Sequence, residues 1–144
     1  MEYRHTQIGY ATIIALAVAI VLTIERMLPT GSAIPMVALL VVLLACLLTF
    51  AILTIEIREG LLSWEFGFGI IRKKFPLSEI TSATQVSTTL LQGWGIDLTS
   101  GGWLYNVSGF QAVEFTLRNG KRFRLGTNEP EELKRAVSSY IAQS

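Results

Sequence analysis

The chain has 144 residues, a formal net charge of +1, 51% hydrophobic residues and 16% charged ones. So even a balance excludes the global basic field that draws a protein to nucleic acid. One cysteine, Cys46, and one histidine, His5, exclude an intrachain disulfide and a Cys/His metal site, and no cofactor is implied.

Met1–Gln7 reads as a short polar lead carrying Arg4 and His5. Two apolar runs follow, Ile8–Ile24 and Ile34–Ile52, and neither holds Asp, Glu, Lys or Arg. A bilayer core of about 30 Å takes roughly 20 apolar residues as a helix, which satisfies its own backbone groups without water. With flanks counted, the runs predict a transmembrane hairpin over residues 1–52, with helices at about 8–28 and 34–52. Pro29 and Gly31 make the turn, and Pro35 suits the first turn of the second helix. A cleaved signal peptide fits poorly, because its apolar region runs only about 7–15 residues. Neither run has a polar face, so a buried soluble hairpin fits poorly too.

Ala11, Ala15 and Ala19 form a small-residue stripe on the first helix. Such a stripe lets backbones approach closely in lipid. It serves packing against the second helix or a homo-oligomer seam, and the sequence leaves both open. The connection between the runs holds Arg26 beside Glu25, while Arg4, Arg58 and Arg72-Lys73-Lys74 lie on the outer flanks. The positive-inside rule then predicts a multi-pass protein of the cell (inner) membrane with both termini cytoplasmic.

The period changes at Leu53. Leu53, Ile55 and Ile57 alternate with Thr54, Glu56 and Arg58, then Leu62, Trp64 and Phe66 with Ser63 and Glu65. Both are strand patterns. Gly67-Phe68-Gly69 turns the chain into a third strand, Ile70–Phe75, where Lys73 breaks the parity. A strand at Ile80–Val86 follows the break Pro76-Leu77-Ser78-Glu79; Ser87–Gln92 stays undecided between strand and loop. Ile96–Thr99 and Trp103–Val107 flank a Ser100-Gly101-Gly102 turn. Val113, Phe115 and Leu117 lead into Asn119-Gly120, a strong hairpin signal, with Lys121–Leu125 as partner. Asn128, Pro130 and Glu131 predict a capped helix start, and Leu133, Ala136, Val137, Tyr140 and Ile141 share one helical face. That face is suited to closing the open end of a barrel.

Hairpin strands closed by one C-terminal helix resemble a pleckstrin-homology-like (PH-like) domain. Phe75-Pro76-Leu77-Ser78-Glu79-Ile80 is similar to a segment of bacterial PH-like domains. Gly93-Trp94-Gly95-Ile96, Gly101–Gly109 and Asn119–Thr127 followed by Glu129–Leu133 resemble stretches of small prokaryotic membrane proteins of that type. The resemblance covers about residues 53–142 and includes a two-helix anchor before them. It implies an α+β membrane protein: a two-helix transmembrane hairpin followed by a PH-like half-open antiparallel β-barrel over 53–144, capped by a C-terminal α-helix. It implies fold and placement rather than a characterised activity.

Nucleophilic catalysis needs a base beside a nucleophile. His5 lies ahead of the first helix, Cys46 inside the second run, and the only aspartate, Asp97, on a predicted strand. The usual catalytic constellations are absent, and a non-catalytic protein is expected. Gly67-x-Gly69 lacks the remainder of a phosphate loop and reads as a turn. Asn106-Val107-Ser108 matches the glycosylation acceptor by accident if the domain is cytoplasmic. The candidate contact residues are two basic sets, Arg72, Lys73, Lys74 and Arg118, Lys121, Arg122, Arg124, together with Trp94 between two glycines. Basic residues close to an anchor attract anionic lipid; a solvated flank is the plainer reading of both sets. The expected function is a membrane-anchored binding or assembly module with membrane lipids and an unknown protein as partners. The alternatives are an anionic-lipid-sensing domain and a small oligomeric channel-like component.

Overall fold

A computed structural model describes residues 2–30, 34–88, 95–99, 102–106 and 109–143. In chain order these form β1 (Tyr3–Ile8), α1 (Tyr10–Thr30), α2 (Ile34–Phe50), β2 (Ile52–Arg58), β3 (Leu61–Phe66) and β4 (Ile71–Pro76). A 3₁₀ turn at Leu77–Glu79 leads to β5 (Ile80–Ser87), β6 (Gly95–Thr99), β7 (Gly102–Asn106), β8 (Gln111–Leu117), β9 (Arg122–Gly126) and α3 (Pro130–Gln143). The protein is α+β, with two largely antiparallel sheets and a C-terminal helix.

The polar lead expected at Met1–Gln7 is instead a strand. Tyr3, His5 and Gln7 alternate with Arg4, Thr6 and Ile8, and β1 pairs antiparallel with β2 from Tyr3↔Ile57 to Ile8↔Ile52. Beyond that last pair the Gly9 N–H donates to the Ala51 carbonyl at 2.7 Å. The apolar helices are therefore spliced between two hydrogen-bonded neighbours of one sheet. Their bounds differ from the predicted ones because the ladder claims Ile8 and Ile52, and because α1 runs on through Pro29, expected in the turn, to Thr30.

The two helices pack on each other. Thr12 and Thr23 are the buried polar residues of α1, and the Thr23 hydroxyl donates to the Ala19 carbonyl at 2.8 Å, a common way to satisfy a hydroxyl within an apolar helix. Ala15 is exposed, while Ala11 and Ala19 are half-buried. Among the described residues, only Tyr10–Pro29 is both long and apolar enough to cross a membrane; α2 is as apolar but has 17 residues.

The first sheet runs β1-β2-β3-β4 and the second β5-β8-β9-β7-β6. One pair departs from the expected antiparallel succession: β7 lies parallel to β9, from Trp103↔Phe123 to Tyr105↔Leu125. The β6–β7 hairpin folds back onto the free edge of β9 and arrives in the same direction. The core lies between the sheets, where alternation sends Leu53, Ile55, Ile57, Leu62, Trp64 and Phe66 inward against Val113, Phe115, Leu117, Phe123 and Leu125. Phe123 sits at its centre, with ring centroids 5.1 Å from Trp64 and from Phe115 and 5.7 Å from Phe75. Each such pair adds about 0.5–1.5 kcal/mol beyond burial.

α3 covers β5, β8 and the 3₁₀ turn. Leu133, Ala136 and Val137 are buried there, and Tyr140 and Ile141 pack alongside, as their helical spacing predicts. The cap differs. Leu133 N–H donates to the Glu129 carbonyl, and the Thr127 hydroxyl accepts from Glu129 N–H at 3.0 Å. The expected cap, Asn128, turns its Oδ1 to His5 Nε2 at 2.6 Å. A hairpin turn forms at Asn119-Gly120, but of the two only Gly120 takes positive φ, at +84°; Asn119 Oδ1 instead accepts from Lys121 N–H.

Candidate functional site

The first basic set lies on β4, an edge strand of the first sheet. Successive strand residues point to opposite faces, so three consecutive cations cannot form one patch. Arg72 and Lys74 face outward, and Lys73 lies opposite Trp64 on the core side. Lys73 is nonetheless exposed, because β4 has no further neighbour among the described residues. An inward charge on an edge strand discourages edge-to-edge pairing. Beside it the buried Trp64 Nε1 has no hydrogen-bond partner among the described residues.

The outward faces of β2, β3 and β4 form a groove of about 580 Å³. Its rows follow the register: Glu56, Ser63 and Lys74 across the strands, then Thr54, Glu65 and Arg72. Arg72 Nη2 meets Glu65 Oε2 at 2.9 Å. Glu56, Glu59 and Glu65 balance Arg58, Arg72 and Lys74 around the groove, so it presents alternating charge rather than a basic field.

The second basic set surrounds the β8–β9 turn and is mostly engaged. Arg124 Nε donates to Glu114 Oε2 at 2.8 Å, and Arg122 Nη1 lies 3.4 Å from Glu114 Oε1. The Arg118 guanidinium donates to the Ser78 carbonyl at 2.7 Å. Lys121 is exposed and forms no side-chain ion pair among the described residues. Trp94 lies outside the described residues. Trp103 is half-exposed on β7, opposite the exposed Leu98.

Sequence reasoning missed a polar cluster where β1 meets the start of α3. His5 Nδ1 stands 3.2 Å from Glu129 Oε2, and the Tyr3 hydroxyl donates to the same oxygen at 3.2 Å. Burial first, and then the negative charge of Glu129, hold the Tyr3 phenol well above its ordinary pKa. Burial also raises Tyr105. The signal for the cluster was the period-two alternation of Tyr3, His5 and Gln7, too short to stand out beside the apolar run. Among the described residues, no group of three His, Cys, Asp or Glu side chains could hold a metal ion.

No protein-family model matches this chain, and no curated protein sequence does.

Proposed function

We propose that this protein is a membrane-anchored binding and assembly module without catalysis. In this reading α1 and α2 cross the bilayer as a hairpin and hold a PH-like β domain at the cytoplasmic face. The observation that carries it is the β1–β2 ladder closed around the helices. Because Ile8 pairs with Ile52, both helix ends that join the domain leave it at one point. A chain that enters and leaves a membrane on one face must cross twice or not at all. Two sheets around one core with a C-terminal helix over them support the PH-like comparison; the parallel β7–β9 pair is a departure from it.

The mixed-charge groove is the proposed contact surface for a protein partner. Lipid sensing through the basic sets is the weaker reading, since Glu65 and Glu114 already engage Arg72, Arg122 and Arg124. A channel-like role gains nothing from α2, which has no charged residue.

Impermeant thiol labelling in a Cys46→Ala background tests the placement. Leu28→Cys, at the far end of α1, should react on intact cells, and Lys121→Cys only in inverted vesicles. Reaction of both from one side removes the hairpin. The partner contact is tested by co-purification in mild detergent. A protein held by the native chain and lost with Lys74→Glu supports the groove, and retention by Lys74→Glu removes it.

A further inference from the structure

The β3–β4 turn carries Phe68 and Ile70, which are 83% and 62% exposed. Phe68 is as exposed as Ile34 on the apolar helix α2. Neither side chain belongs to the core. The turn is not free in space, because it is seated against the end of α2. Gly67 N–H donates to the Ile52 carbonyl at 2.9 Å. A Cβ on Gly67 would stand 2.7 Å from the Leu48 carbonyl oxygen and 3.1 Å from that of Thr49. With φ at +63°, Gly67 is needed both for the turn and for this approach. Just below, Phe66 meets Phe50 edge to face at 5.3 Å.

The level of this contact along α2 is the informative part. Leu48 and Thr49 belong to the last turn of a helix of 17 residues. At 1.5 Å per residue, α2 is about 25 Å long, against a hydrocarbon core of about 30 Å. A span that short leaves its ends at or inside the hydrocarbon boundary. Whatever touches Leu48 and Thr49 from the side then lies at that boundary as well. The geometry points to a second lipid contact: the Gly67–Ile70 turn dips into the bilayer interface beside α2, with Phe68 and Ile70 among the acyl chains. This rests on the membrane reading proposed above and adds to it. The domain is then fixed at two points, the helix pair and an apolar turn, which sets its tilt on the surface. Bulky apolar side chains at headgroup depth are a common device for such anchoring.

Site-directed spin labelling of the full chain tests this. The protein, with Cys46→Ala, is reconstituted into phosphatidylethanolamine–phosphatidylglycerol vesicles, and in parallel into phosphatidylcholine vesicles. Labels are placed at Val41→Cys, Phe68→Cys and Ser78→Cys. Collision rates are then measured with oxygen, which concentrates in lipid, and with a water-soluble nickel chelate. The oxygen-to-nickel ratio at 68 should exceed that at 78 several-fold and approach that at 41, in both vesicle types. A lipid-like ratio at 41 with a water-like ratio at 68 overturns the turn insertion and leaves the anchor standing. A water-like ratio at 41 overturns the anchor and the turn together. A label at 68 shielded from both reagents means a protein contact and overturns the proposal, as does insertion seen only with phosphatidylglycerol. To exclude insertion driven by the label, the label is moved to Ile70→Cys and combined with Phe68→Ser. The ratio there should fall several-fold; an unchanged value refutes the role of Phe68.

Discussion

Replacing Tyr10–Phe50 with Asn-Gly should convert this protein into a water-soluble β domain. The Gly9 N–H donates to the Ala51 carbonyl at 2.7 Å, one step beyond the Ile8–Ile52 pair, and a two-residue type I′ turn joins such a hydrogen-bonded pair directly. Every buried core residue lies outside the deleted segment. The packing lost is that of Phe50, whose ring meets Phe66, and of Leu48 and Thr49 against Gly67; an aromatic pair is worth about 0.5–1.5 kcal/mol beyond its burial. For a domain of roughly 100 residues, that lowers the melting midpoint by several degrees, at about 4–8 °C per kcal/mol. The comparison chain is Leu53–Ser144, which keeps all strands except β1. It loses the Tyr3–Glu129 and His5–Asn128 contacts and leaves β2 as a bare apolar edge. Size-exclusion chromatography and thermal melts by near-ultraviolet circular dichroism decide the matter. The excised chain should be monodisperse and melt cooperatively, and Leu53–Ser144 should aggregate. Cooperative folding of Leu53–Ser144 together with failure of the excised chain would refute the assignment of β1 to the domain.

Two further outcomes follow from the polar contacts. Glu114→Gln should cost about 1–2 kcal/mol in a denaturant titration, because Arg124 loses a charged acceptor in a pair whose two side chains are each 13% exposed. Arg122→Ala, at the exposed end of the same clasp, should change stability by less than about 0.5 kcal/mol; equal effects would refute this division. In alkali, Tyr3 sets the direction. Its folded pKa lies above the ordinary 10.0, so its contribution is complete below that value and drains away above it, as the unfolded phenol ionises first. Melts between about pH 9 and 11 should show this loss, which Tyr105 adds to and Tyr3→Phe reduces.

Much of the fold was legible because β2, β3, β8 and α3 each keep a single period over several residues and bury one face. The Asn119-Gly120 turn was legible from two residues that tolerate positive φ. β1 was not legible, because its alternation is brief, its outward residues are polar, and its partner β2 lies beyond both helices. The parallel β7–β9 pair could not be read either, since local pattern specifies a strand but not its neighbour. The basic triplet misled for a simpler reason. Adjacency in sequence suggested a patch, but on β4 it places Lys73 on one face and Arg72 and Lys74 on the other. Likewise, the charge of Arg122 and Arg124 says nothing of the single carboxylate, Glu114, that holds them both.

The position of β1 also has a consequence for biosynthesis. β1 is made before both helices and cannot pair until they and then β2 have followed. During that interval the six residues of β1 lack their β2 partner. In the membrane placement proposed above, crossing by only one helix would leave β1 and β2 on opposite sides of the bilayer, and the first sheet could not close. In the proposed hairpin a misinserted copy would lack the Ile8–Ile52 closure and expose the inner face of β2, the apolar surface by which quality control recognises an unfolded chain.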